Sequence, residues 1–243
     1  MLQNILYQVN LFGEFVDIEP KPENIMELMP LLSKFSLMPT TMQELNPNYG
    51  LVPLNRLSLA SDNNEFRVDI GLDKVTISKN AVNNSGIIEA DISSFVTDAE
   101  YILDEILTKY NKLGTRVSLI SNGLFPETSV ENLEETYGKF ISPIDYYETN
   151  KPFEWNARSV SREKYNISQR EETINIISEV ARVQGHFNNQ HSEFDRINLK
   201  TDINTIGQST EKRLNGTSVK EFLRLAIESR SKLITQVESM VSE

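Results

Sequence analysis

The strongest constraint on the fold is the order in which two kinds of apolar pattern follow one another. Stretches with apolar residues at helical spacing occur at 93–112 and 217–240, and each follows three short segments that alternate apolar and polar residues. Helical spacing predicts an amphipathic helix, whereas alternation predicts a strand with one buried face. Both kinds of element need a partner, and a sheet packed by helices buries both faces.

A further strand and a shorter helical pattern begin each half of the chain. The first half begins with an alternating segment at 4–18, followed by a helical stretch that Pro20 and Pro22 open. The second half begins with a strand pattern at 115–121, followed by a helix that the capping box Thr128-x-x-Glu131 predicts. The remaining strand predictions are 51–60, 65–71, 73–79, 153–165, 172–187 and 194–206.

This repeated order predicts an α+β protein with two similar β-α-β-β-β-α units, each an antiparallel sheet packed by helices. The first unit would span 1–113 and the second 114–243, with one continuous domain as the alternative. Sequence identity between the halves is negligible. The prediction of an internal duplication therefore depends on element order alone.

The absence of cysteine from all 243 residues excludes disulfides, thiolate nucleophiles and cysteine-ligated zinc. The N-terminal residues alternate apolar and polar side chains, unlike the unbroken apolar core of a signal peptide. No run of about 18 apolar residues occurs. We therefore expect a cytoplasmic protein that does not associate with membranes.

The two histidines, His186 and His191, lie in one polar segment. With Glu193 or Asp195 they could converge on a metal ion inside a hairpin loop. The Asn-Asn-Gln sequence between them is also typical of a solvated β-turn, which is the interpretation that we favour. Two histidines without cysteine are too few for a closed zinc site, so we predict no bound metal.

Catalytic and cofactor motifs are missing from the sequence. It contains no Gly-x-Ser-x-Gly elbow, no P-loop and no Gly-x-Gly-x-x-Gly fingerprint. Neighbouring carboxylates such as Asp104 and Glu105 point in different directions on a helix. We therefore predict no cofactor and favour a protein that is not an enzyme, leaving open an active site that tertiary contacts assemble.

A basic segment stands out from the acidic background. The chain has a formal net charge of −11, yet residues 151–170 hold five basic and two acidic side chains. Alternation on a strand places Arg158 and Arg162 on one face and Trp155, the only tryptophan, on the other. We predict that Trp155, Arg158 and Arg162 mark a contact surface for an acidic partner, a phosphate or nucleic acid. A solvated strand face packed on an aromatic core is one alternative. The other makes these arginines internal partners of Glu172 or Glu179.

These observations favour a protein–protein interaction or assembly subunit of a microbial or phage intracellular complex. The first alternative is a small-molecule sensor or enzyme with a cleft between the two halves, and the second is an acidic mimic of nucleic acid. We expect a protein partner and do not expect nucleic-acid binding. Leu225, Ile227 and Ile234 add apolar surface to the last helix, which predicts a homo-oligomer formed through it.

Overall fold

The fold is mixed α+β, as the apolar patterns predict. The computed structural model describes residues 1–45, 52–82, 87–142, 144–186 and 193–241, with only the backbone of residue 186. The strands are β1 (Gln3–Phe12), β2 (Met38–Glu44), β3 (Leu54–Ala60), β4 (Phe66–Ile70), β5 (Lys74–Asn80), β6 (Arg116–Leu124), β7 (Trp155–Ile167), β8 (Arg170–His186) and β9 (Glu193–Thr205). The helices are α1 (Pro22–Glu27), α2 (Met29–Phe35), α3 (Ile92–Lys109), α4 (Val130–Phe140), α5 (Asp145–Thr149) and α6 (Gly216–Val241).

All nine strands belong to one antiparallel sheet, in the order β2-β3-β4-β5-β1-β6-β9-β8-β7. The prediction of two separate sheets is therefore wrong. The first strands of the two halves, β1 and β6, pair with each other at the centre of the sheet. An alternating pattern shows that a strand has a buried face, but it does not show which strand lies beside it.

The structure does not support the predicted duplication of a β-α-β-β-β-α unit. The first half contributes five strands and three helices, whereas the second contributes four strands and three helices, in a different order. The sequence analysis missed β2, because this edge strand is exposed and polar and begins Met38-Pro39. The division at residues 113 and 114 stays a prediction, although the main core cluster draws buried residues from both sides of it.

The long helices α3 and α6, predicted at 93–112 and 217–240, pack side by side against one face of the sheet. Phe35 of α2 stacks on Phe66 of β4, and Tyr137 of α4 contacts Trp155 of β7, so these helices lie on the same face. That face is apolar. Its fully buried strand residues include Val9, Leu11, Ile77, Leu119 and Ile203. None of these four helices lies on the opposite face of the sheet, which we call the helix-free face.

Candidate interaction surface

A row of polar side chains crosses the helix-free face from one edge of the sheet to the other. The strand register aligns one residue from each of the nine strands in this row, and all nine are polar. In sheet order they are Thr40, Ser58, Asp69, Thr76, Asn10, Ser118, Asn204, Asn175 and Arg162. We call this set the polar row. Cross-strand neighbours on one face lie close enough to interact, so the row can form a hydrogen-bonded ladder.

Hydrogen bonds join many of the neighbours in the polar row. Asn10 accepts from Thr76 Oγ1 at 2.9 Å, and its Nδ2 donates to Ser118 Oγ at 3.0 Å. Further along, Asn175 Nδ2 donates to Asn204 Oδ1 at 3.0 Å, and Arg162 Nε donates to Asn175 Oδ1 at 3.0 Å. Asn10, Ser118 and Asn204 are buried. Buried polar groups need such partners, so the row fixes its own side-chain positions.

The helix-free face carries more positive than negative charge. Strand alternation and pairing place nine basic and five acidic residues on it, although the whole chain has 24 basic and 35 acidic residues. The basic residues are Arg56, Arg67, Lys74, Arg116, Arg158, Arg162, Lys164, Arg196 and Lys200, and the acidic ones are Glu44, Asp69, Glu171, Glu179 and Asp202. Arg56 and Arg196 are buried, so seven basic and five acidic side chains remain at the surface of this face. The face is therefore more basic than the protein as a whole.

Arg158 and Arg162 lie on β7, at one end of this basic face, and both are exposed. Among the described residues, Arg158 has no hydrogen-bonding or ion-pairing partner, and Arg162 contacts only the Asn175 amide. Glu179, which lies opposite Arg158 in the strand register, accepts a hydrogen bond from Asn156 instead, at 2.6 Å. Glu172 pairs with Arg213. Neither arginine is therefore neutralised by the carboxylates that the sequence alternative named.

Trp155 lies on the opposite face of β7, as alternation predicts. It is 7% exposed and packs against Tyr137 and Phe140 of α4, with ring centroids 6.0 and 6.1 Å away. Its indole Nε1 is buried and has no hydrogen-bond partner among the described residues. The structure thus brings together two of the three predicted site residues, and it places the third in a core cluster beneath them.

A group of exposed aromatic side chains borders the basic end of the helix-free face. Tyr146, Tyr147 and Phe153 are 65%, 39% and 66% exposed, and we call them the aromatic shelf. No other aromatic side chain in the described ranges is as exposed as these three. The sequence analysis missed them, although a signal was available: four aromatic residues fall within 146–155, directly before the basic part of β7.

A cavity of about 710 Å³ separates the aromatic shelf from the sheet. Residues 150–156 form one wall, and Glu179, Ala181 and Asn198 of the helix-free face form another. Glu154 and Lys151 both line it, so its charge is mixed. Its volume would hold a small molecule or one or two large side chains of a partner.

The metal site that the sequence left as an alternative cannot be placed. His191 and the side chain of His186 lie outside the described residues. Asp195, a candidate ligand, accepts hydrogen bonds from Arg182 and Gln184. Within the described ranges, no group of three or more histidine or carboxylate side chains could hold a metal ion.

The apolar residues that predicted oligomerisation through α6 are partly buried within the molecule. Leu225 and Ile227 pack against the main core cluster, and Ile234 packs against the second cluster, which includes Leu133 and Tyr137 of α4. Since these contacts account for the extra apolar surface, the argument for a dimer through α6 loses its main support. The oligomer stays a prediction.

The chain matches no family model and no curated protein sequence. In the described parts of the chain, none of the helices combines the length and hydropathy needed to span a bilayer. What the protein does must therefore be argued from its surface.

Proposed function

We propose that this protein is a non-enzymatic interaction subunit that binds an acidic segment of a protein partner at the β7 end of its helix-free face. The observation that carries the proposal is that Arg158 and Arg162 lie exposed, without carboxylate partners, beside the aromatic shelf. Arginine and aromatic side chains are the residues that most often dominate the free energy of binding at protein interfaces.

Charge supports an acidic partner that binds at short range. The net charge of −11 repels acidic molecules at a distance. Salt screens both this repulsion and the attraction of the basic face beyond a Debye length of about 8 Å at physiological ionic strength, so the basic face acts only near contact. Bidentate hydrogen bonds from arginine to carboxylate are well suited to such contacts.

Nucleic acid fits this surface less well than protein. The face has no continuous basic track, because Glu171, Glu179 and Asp202 lie among its basic residues. The excess of basic over acidic side chains on the helix-free face also opposes the alternative of an acidic mimic of nucleic acid, which requires rows of exposed carboxylates.

One observation favours the alternative of a small-molecule sensor or enzyme, although not in the place that the sequence analysis expected. No cleft separates the two halves at β1 and β6, because these strands pair directly. The cavity of about 710 Å³ lies instead at the far end of the sheet. A metabolite that raises the melting temperature of the protein, and no longer does so in a Phe153→Ala variant, would support this alternative.

The proposed function is tested by purification at native expression, comparing the wild type with two double variants of equal charge. Arg158→Glu with Arg162→Glu reverses the basic end of β7, whereas Lys220→Glu with Lys232→Glu reverses two exposed lysines of α6. We expect a discrete partner to co-purify with the wild type and with the α6 variant. The β7 variant should lose this partner while its own melting temperature stays that of the wild type.

Equal recovery of the partner with both variants would overturn the proposed surface. Recovery of nucleic acid in place of protein, lost in the β7 variant alone, would replace the proposed partner. A lower melting temperature of the β7 variant with the partner still bound would show that the two arginines stabilise the fold.

A further inference from the structure

One edge of the sheet is long, regular and unpaired. In the part of the chain that the structure describes, β7 is the last strand of the sheet and pairs only with β8. The thirteen residue pairs from Trp155 with Arg182 to Ile167 with Arg170 follow one another without a bulge. An unpaired strand presents a row of backbone N–H and C=O groups that can hydrogen bond to another strand.

Exposure distinguishes β7 from the other edge of the sheet. Seven consecutive residues, 158–164, are exposed on both faces of β7. The opposite edge strand, β2, has only seven residues, including Pro39, which has no N–H to donate. Neither proline nor glycine interrupts β7. Of the two edges, β7 is therefore the one whose backbone can accept a partner strand.

The side chains of β7 determine which strand fits. Arg158, Val160, Arg162 and Lys164 lie on the helix-free side, while Ser159, Ser161 and Glu163 lie on the other. Lys164 already pairs with Glu171 at 2.7 Å, so the two arginines are the basic groups left for a partner. A strand added beside β7 would place its own side chains directly opposite these residues. Carboxylates on the helix-free side and small polar residues on the other side are the complementary set.

A second copy of this chain does not fit. Suppose that the β7 strands of two copies pair antiparallel, so that their sheets form one continuous sheet with both helix layers on the same side. The basic residues of both copies then meet on the helix-free side. Like charges on neighbouring strands oppose pairing. The charges that keep β7 from pairing with itself thus select a strand of opposite charge.

We propose that β7 accepts an extended acidic segment of the partner as a tenth strand of the sheet, with carboxylates at alternate positions opposite Arg158 and Arg162. This inference rests on the proposed function, since it specifies how the acidic partner binds at that same surface. Backbone hydrogen bonds along 158–164 hold the segment, and the two arginines select it.

The test uses synthetic peptides of about ten residues that alternate glutamate with threonine, the length of a long strand. Two N-methylated isomers are compared with the parent: one methylated at every glutamate and the other at every threonine. Alternate N–H groups of a strand point to opposite edges, so each isomer blocks one edge only. Binding of each peptide to the full-length chain is measured by calorimetry.

We expect the parent peptide and one isomer to bind, and the other isomer to bind at least about tenfold more weakly, because it blocks the edge that faces β7. A charge-swapped pair adds a second criterion. The variant with Arg158→Glu and Arg162→Glu should lose the glutamate peptide and bind a peptide that alternates lysine with threonine.

Three results would overturn strand addition. The first is equal binding of both isomers, which indicates contact through side chains only and leaves the proposed function intact. The second is that the parent peptide does not bind at concentrations up to about 1 mM, since a specific segment should bind more tightly than this. The third is equal binding of the glutamate peptide to the charge-reversed variant. The purification experiment judges the proposed function separately.

Discussion

Asn10 Nδ2 donates a hydrogen bond to Ser118 Oγ at 3.0 Å, and this bond joins the two central strands of the sheet. The two residues lie 108 positions apart in the chain. Both are buried, and they lie on the face of the sheet opposite α3 and α6. A buried amide with satisfied hydrogen bonds is well placed to fix the register between β1 and β6.

Replacing Asn10 by alanine should lower the free energy of unfolding by about 2 kcal/mol, because the buried amide also accepts from Thr76 and Gln8. Ser118→Ala should cost about 1 kcal/mol. Urea unfolding of both single variants and the double variant gives their coupling. We expect the double variant to lose less than the sum, since the first change already removes the shared bond. If the losses of the two single variants add up to the loss of the double variant, the hydrogen bond between Asn10 and Ser118 does not contribute to stability.

Replacing Trp155 by alanine should cost about 3–4 kcal/mol of stability, because it empties a site between β7 and α4. Trp155→Phe keeps most of the packing and should cost less than about 2 kcal/mol. Thermal unfolding measures both losses. Suppose that the phenylalanine variant keeps its stability but no longer binds the partner, although Arg158 and Arg162 are unchanged. Trp155 would then be a contact residue and not a core residue.

Arg230 is 5% exposed, and burial lowers the pKa of its guanidinium. Its Nε donates to Ser121 Oγ at 2.7 Å and its Nη2 to Asn4 Oδ1 at 2.6 Å, while no carboxylate in the described parts of the chain forms an ion pair with it. Arg230→Met keeps the packing of the stem and removes a desolvated charge, so its stability should stay within about 1 kcal/mol of the wild type.

Arg230→Ala is the matched comparison, because it removes the charge and the packing together. This variant should lose about 2–3 kcal/mol through the cavity that it leaves. Urea unfolding of the two variants separates the contributions. Equal losses in both would show that the hydrogen bonds of the guanidinium stabilise the fold more than the packing of its stem does.

Two glycine substitutions should act in opposite directions. A methyl group at Gly138, inside α4, would meet no atom within 4 Å apart from its chain neighbours and the backbone of its own helix, so Gly138→Ala should raise the free energy of unfolding by about 0.5–1 kcal/mol. At Gly123 of β6 the added carbon would lie 2.9 Å from the Gln3 carbonyl oxygen, so alanine there should destabilise. Chemical unfolding of both variants checks the pair, and a loss at Gly138 would contradict it.

The pKa of Asp195 is lowered by hydrogen bonds from Arg182, at 2.9 and 2.7 Å, and from Gln184 at 3.0 Å. A carboxyl group with a lowered pKa stabilises the folded state fully above its unfolded pKa of about 4, and this contribution is lost as the pH falls through the folded pKa. Asp195→Asn should therefore cost about 2 kcal/mol at pH 7 and less at pH 3.5. Urea unfolding at both pH values measures the difference, and a cost that does not change with pH would contradict the ion pair.

Local patterns predicted most of the elements. The apolar periodicity of α3 and α6 is that of helices with one buried face, and both are helices in the structure. A helix at 130–140 is also confirmed, although its cap is Ser129 and not Thr128. β2 was missed because an exposed edge strand has no buried face to impose alternation on its sequence.

For the candidate site, alternation predicted that Arg158 and Arg162 share a face, and the pairing of β7 with β8 confirms it. The aromatic shelf and the cavity were not predicted. Tyr146, Tyr147 and Phe153 belong to a short helix and the segment after it, where no periodicity indicates which side chains are exposed.

The sequence by itself determined most of the segments that form helices and strands and which face of each of these strands is apolar, because these depend on residues a few positions apart. Only the tertiary structure decided that β1 and β6 join all strands into one sheet. It also decided that nine polar residues from all nine strands align in one row. Pairing between distant strands depends on packing and register over the whole core, and periodicity within one strand contains no information about its neighbour.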